Sequence, residues 1–177
     1  MSLARRHSNR TTDADAVLWV EDLLRSSYEA LGEPFEPRFV MHDYGEHNLT
    51  FEQTEGLWRV SGVFDLMEAF FGDREMDLSR QTAFYLKEDD PELARMFLRT
   101  YLELVPARPD FQERFPAYML LDRLVVWEYA QRQRNEPWWN ERLTLREWAE
   151  PYTASLLMRD LMQHAGYPPR PAVGLPL

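Results

Sequence analysis

The chain of 177 residues has no cysteine, and lysine occurs once, at Lys87. Without thiols there is neither a disulfide framework nor a thiolate zinc site, and cysteine usage leaves the redox compartment open. No apolar run approaches the roughly eighteen residues that a bilayer-crossing helix needs, so a membrane partner is not expected. Residues 1–12 carry Arg5, Arg6 and Arg10 but no apolar stretch of the kind a secretory signal requires, and they read as a mobile leader. Positive charge is scarce as well: 30 Asp plus Glu stand against 20 Lys plus Arg, for a formal charge of -10. Such a field repels phosphate backbones and argues against a nucleic-acid partner. It would draw in a cationic substrate, although acidity of this kind more often serves solubility. A soluble, cytoplasmic protein is the plain expectation.

What is present is apolar bulk. Hydrophobic residues make up 45% and aromatics 14%, enough for one domain with a sizeable core. Val17, Val20, Leu24, Tyr28 and Leu31 recur at helical spacing after Asp13 or Asp15, and Gly32 stops that helix. Pro34 and Pro37 force an extended approach to a short strand over 38–41. Two further strands over 49–53 and 57–64 flank Glu55-Gly56, a hairpin signal. Beyond them the apolar spacing predicts helices over 76–86, 91–105, 111–133 and 144–165. Pro91 suits a first helical turn, whereas Pro116 and Pro151 are expected to mark starts or kinks. The run from Leu120 to Tyr129 is almost continuously apolar and should form the centre of the core. Asn135 to Asn140 separates the last two helices, and its Trp138 and Trp139 offer either a stacking platform or, more simply, corner packing. Asp122, Glu128 and Glu147 are acidic candidates for meeting a cationic substrate, with a solvated helix face as the plainer alternative. The tail over 166–177 holds Pro168, Pro169, Pro171 and Pro176 and should lie extended.

The chemistry-bearing stretch runs from Met41 through His42, Asp43, Tyr44, Gly45, Glu46 and His47 to Asn48. A D-x-x-x-x-N spacing places a carboxylate that can orient an attacking hydroxyl one loop turn from an amide oxygen that can ligate magnesium. Context sharpens a pattern that is common by accident: a strand leads in, a hairpin follows, and Val60-Ser61-Gly62-Val63-Phe64 delivers Asp65 at a strand end. Ala69, then Gly72-Asp73, then Asp77-Leu78 before a helix complete the series. His42 and His47 near Asp43 lack a clear third ligand and make only a weak case for a transition metal.

Over 38–78 this series resembles the catalytic core of the aminoglycoside phosphotransferase and small-molecule kinase family. The resemblance implies a mainly α (α+β) fold, the kinase-like C-terminal lobe, with a helical bundle over 13–165 and a small β-hairpin carrying the catalytic loop. It implies Asp43 as the catalytic residue, Asn48 and Asp65 as magnesium ligands, and His42 and Asp77 as structural support of the loop. The reaction implied is transfer of the γ-phosphoryl of ATP or GTP to a hydroxyl of a small molecule such as an aminoglycoside, with the substrate-binding residues unidentified. The chain departs from the family in two ways. Met41 stands where a histidine is usual, with His42 directly before Asp43. No G-x-G-x-x-G occurs, and Lys87 follows Asp65 instead of preceding the loop, so the N-terminal nucleotide-binding lobe is absent from the reading. Little or no kinase activity is therefore expected of the polypeptide in isolation. The alternative is a non-catalytic binding or interaction module derived from that lobe, pairing with a separate N-terminal lobe or with a second copy as a homodimer.

Overall fold

The computed structural model describes residues 14–133 and 143–164. The leader, the segment with Trp138 and Trp139, and the proline-rich tail lie outside them. The first helix comes as two pieces, α1 (Ala14–Ser26) and α2 (Tyr28–Leu31), interrupted at Ser27. Strand β1 (Arg38–Val40) enters the loop of interest, which closes in a short 3-10 turn over Glu46–Asn48. The hairpin forms where its turn signal predicts: β2 (Leu49–Thr54) pairs antiparallel with β3 (Leu57–Val63) from Leu49↔Val63 to Thr54↔Leu57, with a register shift at Thr50/Phe51. Glu55 and Gly56 have φ of 53° and 81°, the left-handed pair that lets a two-residue turn follow the twist of its strands.

A fourth strand, β4 (Phe70–Gly72), was not expected. It pairs with β1 from Arg38↔Gly72 to Val40↔Phe70, so the strand leading into the loop is held by a segment thirty residues on and not by the hairpin. Three residues are too few for a period-two pattern to register.

A second 3-10 turn over Arg74–Met76, capped by the Asp73 carboxylate on the Glu75 N–H, opens into α3 (Asp77–Lys87). Next come α4 (Pro91–Leu104), α5 (Phe111–Gln133), α6 (Leu145–Thr153) and α7 (Ser155–His164). The Asp90 side chain caps α4 with Pro91 in the first turn, and Thr144 and Glu147 form a reciprocal capping box on α6. The predicted helix over 144–165 is thus two. Pro151 cannot donate to a carbonyl one turn back, and the Thr153 hydroxyl bonds the Ala149 and Glu150 carbonyls, so the chain turns at Ala154 (ψ 130°). Pro116 and Pro151, expected at starts or kinks, both sit inside helices.

The long helix α5 is the axis of the fold. Its first half packs Phe111, Phe115 and Met119 against Leu78, Leu98, Leu161 and Met162 from α3, α4 and α7. Its second half packs Leu120, Leu124 and Trp127 against Val20 of α1 and Trp148 of α6. A helix buried on most sides needs little polar surface, which is why the Leu120–Tyr129 run is mostly apolar, broken by Asp122, Arg123 and Glu128. Each such large side chain contributes about 1.5–3 kcal/mol by leaving water.

Charges are buried in this core as well. Arg114 is fully buried; its Nε and Nη2 donate to Glu75 Oε2 at 2.9 and 2.7 Å, and its Nη1 donates to the carbonyls of Ala30 and Pro109. Glu75 Oε1 accepts the Arg108 backbone N–H at 2.8 Å. Every arm of the pair is satisfied, so α2, the Arg74–Met76 turn and α5 are held at one node.

Candidate functional site

The loop begins where β1 ends. Met41 is buried, and His42 adopts φ 65°, a left-handed backbone that costs a residue with a side chain about 1–2 kcal/mol. What holds it there is Asp77: at the first turn of α3, its Oδ1 accepts the His42 N–H at 2.8 Å. The His42 ring stacks edge-on against Phe70 of β4, and its Nδ1 lies 3.0 Å from Glu68 Oε2. Met41, where the resembled family has histidine, fills an apolar position while the imidazole points to Glu68.

Burial raises the Asp77 carboxyl above its ordinary range, opposed by the His42 and Met41 backbone N–H groups and by the His42 charge. A carboxyl that holds its proton more tightly in the folded chain weakens the fold as it ionises, so its contribution is present in acid and lost as pH rises above about 4. Asp77→Asn keeps an acceptor for the His42 N–H, and it should gain stability relative to the parent between about pH 4 and pH 7. Urea midpoints at the two pH values measure this, and a difference that does not change with pH would contradict it.

Asp43 follows in a half-buried position with both oxygens engaged. Arg80 Nη1 donates to Oδ1 at 2.6 Å, and Asn48 Nδ2 donates to Oδ2 at 3.2 Å and to the Asp43 carbonyl at 2.9 Å. Both amide protons of Asn48 are thereby spent on Asp43, and its Oδ1 has no hydrogen-bond partner among the described residues. The Asn48 carbonyl in turn accepts the Phe64 N–H at 2.9 Å, so Asp65 emerges one residue from the loop. Asp65 has φ 51°, is exposed and makes no hydrogen bond to another described residue. Asp43 and Asp65 face one cavity of about 480 Å³.

An amide carbonyl and a carboxylate, both hard oxygens with no competing donor, fit magnesium, which takes few protein ligands because phosphates and water supply the rest. Among the described residues no group of three or more His, Asp or Glu is arranged to hold a metal. His42 and His47, weighed as transition-metal ligands, thus lack the third side chain that such a site needs.

The sequence reasoning missed the group that positions Asp43. Arg80 bridges from α3: besides Asp43, its Nε donates to Asp122 Oδ1, and its Nη2 lies 3.6 Å from Glu68. Asp122 is fully buried on α5, and its other oxygen accepts Nε and Nη2 of Arg123 at 2.9 and 2.5 Å. A line of alternating charge thus runs Arg123, Asp122, Arg80, Asp43. Burial penalises the Arg80 cation, yet the charges of Asp122, Asp43 and Glu68 hold its pKa above the ordinary value. The available signal was its position three residues after Asp77, on the same helix face. Asp122, offered above as a substrate-facing or solvated carboxylate, is neither. Glu128 pairs with Arg132, and Glu147 is the reciprocal member of the α6 cap.

Residues 2–117 match the model of a phosphotransferase enzyme family. No curated protein and no solved structure matches the chain.

Proposed function

The chain belongs to the phosphotransferase enzyme family, and from that premise we propose that it serves transfer of the γ-phosphoryl group of ATP or GTP to a hydroxyl of a small molecule. Its helical part is then a kinase-like C-terminal lobe. The observation that carries the reading is that Asp43, pinned by the Asn48 amide, and Asp65 line one cavity. Asp43 would orient the acceptor hydroxyl and take its proton as the new oxygen–phosphorus bond forms and the bond to the leaving nucleoside diphosphate breaks. Asn48 Oδ1 and Asp65 would hold magnesium, which when bound neutralises phosphate charge. Asp77, through the His42 backbone, and the His42 ring, against Glu68 and Phe70, would keep the loop in its left-handed turn. A cytoplasmic setting, where nucleotide and magnesium abound, goes with this chemistry.

Phosphates need cations beyond the metal, and Lys87 already lies 3.7 Å from Glu88. Turnover by the polypeptide on its own is therefore expected to be slow, and binding is the sharper readout. Calorimetric titration with ATP should show heat only with magnesium present, and Asp65→Asn should remove it. Metal-independent binding, or binding indifferent to Asp65→Asn, would overturn the reading.

A second reading, an interaction module, is favoured by a different observation. Phe51, Trp58 and Val60, which cross-strand pairing puts on one face of the β2–β3 hairpin, are all exposed, Trp58 by 68%. Contiguous apolar surface of this kind marks contact sites. A second copy meeting this face is the simplest partner. Sedimentation should then show a dimer that Trp58→Glu returns to monomer, and a monomer at all concentrations would dismiss it.

A further inference from the structure

The cavity beside Asp43 has two unlike sides. From the loop and strand side come carboxylates, Asp43 and Asp65 among them. The residues that α3, α5 and α6 contribute include no Asp or Glu: Arg80, Lys87 and Arg123 are cationic, and Val125, Val126 and Trp148 are largely apolar. The carboxylates nearest to that wall in sequence are used internally. Asp122 is enclosed between two guanidinium groups, Glu128 holds Arg132 and Glu147 caps α6.

Arg123 is the most telling of these groups. Its side chain is 5% exposed, and its guanidinium lies over the rings of Trp148 at 5.7 Å and Tyr152 at 4.7 Å. Nε and Nη2 are spent on Asp122, while Nη1 has no hydrogen-bond partner among the described residues although the residue lines the cavity. A buried cation with an unused donor, on a residue that lines a cavity, can recognise an anion, and the planar guanidinium suits a carboxylate. A single free nitrogen, with Asp122 already offsetting part of the charge, suits one negative charge better than two. The chain's acidity acts at longer range and is screened beyond about 8 Å at physiological salt, so the contact groups decide selectivity.

We propose that the acceptor is a hydroxyl compound with a carboxylate and an apolar body: the carboxylate on Arg123, the body against Val125, Val126 and Trp148, the hydroxyl at Asp43. The identity of this ligand as an acceptor rests on the phosphotransfer reading, whereas the carboxylate preference does not. An amino sugar with several ammonium groups would meet no uncommitted carboxylate on the helical wall.

The test uses the full chain and three probes: phenyllactate, the amino alcohol in which its carboxylate is replaced by an aminomethyl group, and kanamycin. Binding is followed by the shift of the Trp148 indole N–H resonance, identified with Trp148→Phe. Phenyllactate should bind about tenfold more tightly than the amino alcohol, the increment of a charge-assisted hydrogen bond. Arg123→Gln should erase that preference. Because Arg123 also neutralises buried Asp122, Val125→Asp supplies a second variant outside that network, and it should reverse the preference. Tighter binding of kanamycin or the amino alcohol to the parent, a preference untouched by both variants, or no binding of phenyllactate would each overturn the proposal. A magnesium–ATP titration on the same sample separates the two claims. Carboxylate preference without nucleotide binding removes the phosphotransfer reading and leaves the anion site, and nucleotide binding with amine preference does the opposite.

Discussion

Asp122→Ala is expected to lower the stability of the fold by about 3–5 kcal/mol, the cost of leaving buried charge uncompensated. Asp122 is wholly enclosed, with one oxygen on Arg80 and the other on Arg123. Its removal strands the Arg123 guanidinium, 5% exposed, and leaves Arg80, 17% exposed, with Asp43 and Glu68 alone. Burial by itself would raise the Asp122 carboxyl, but Arg123 and Arg80 outweigh it and hold the group below its ordinary value. A depressed carboxyl contributes stability that is present above about pH 4 and lost as pH falls through the folded value, the reverse of Asp77. The deficit of Asp122→Ala against the parent, read from urea midpoints, should therefore shrink on acidification. A loss under about 1 kcal/mol at neutral pH would mean that water or a shifted side chain replaces the carboxylate. Converting Arg80→Met, Asp122→Leu and Arg123→Met together should recover most of the loss, because apolar groups of like volume carry no desolvation cost.

The second large effect is on chemistry. Asp43→Asn should lower phosphoryl transfer by about 10²–10⁴-fold while leaving magnesium-dependent nucleotide binding in place, since the amide cannot accept the hydroxyl proton. Turnover and calorimetry on the same preparation measure both halves. Asn is close in shape, so the Asn48 and Arg80 contacts at Oδ2 and Oδ1 are perturbed less than by alanine. Transfer that survives unchanged would remove Asp43 from the reaction, and nucleotide binding lost in parallel would make it a binding residue.

Local pattern made much of this legible. The hairpin followed from β-formers around Glu55-Gly56, the α4 start from Pro91, and the loop from the Asp43 to Asn48 spacing, because each depends on neighbours within a few residues. Asp77, assigned by resemblance to the loop's support, does accept the His42 N–H. Other features stayed invisible for equally physical reasons. The break at Ala154 depends on a threonine bonding back to its own helix, which apolar periodicity does not register. Asp122 looked like a surface carboxylate because sequence alone cannot say that a charged pair in an apolar run will be folded inward.

Sequence by itself determined the hairpin, the central helix and the loop with its Asp, Asn and second Asp, since these rest on spacing along a chain whose backbone preferences are local. Tertiary structure alone decided that β4 would hold β1, that Arg80 would reach Asp43 from one side and Asp122 from the other, and that Arg123 would line the same cavity as Asp43. The two Arg80 pairings join residues 37 and 42 positions apart, where the tertiary packing of α3 sets which charges meet.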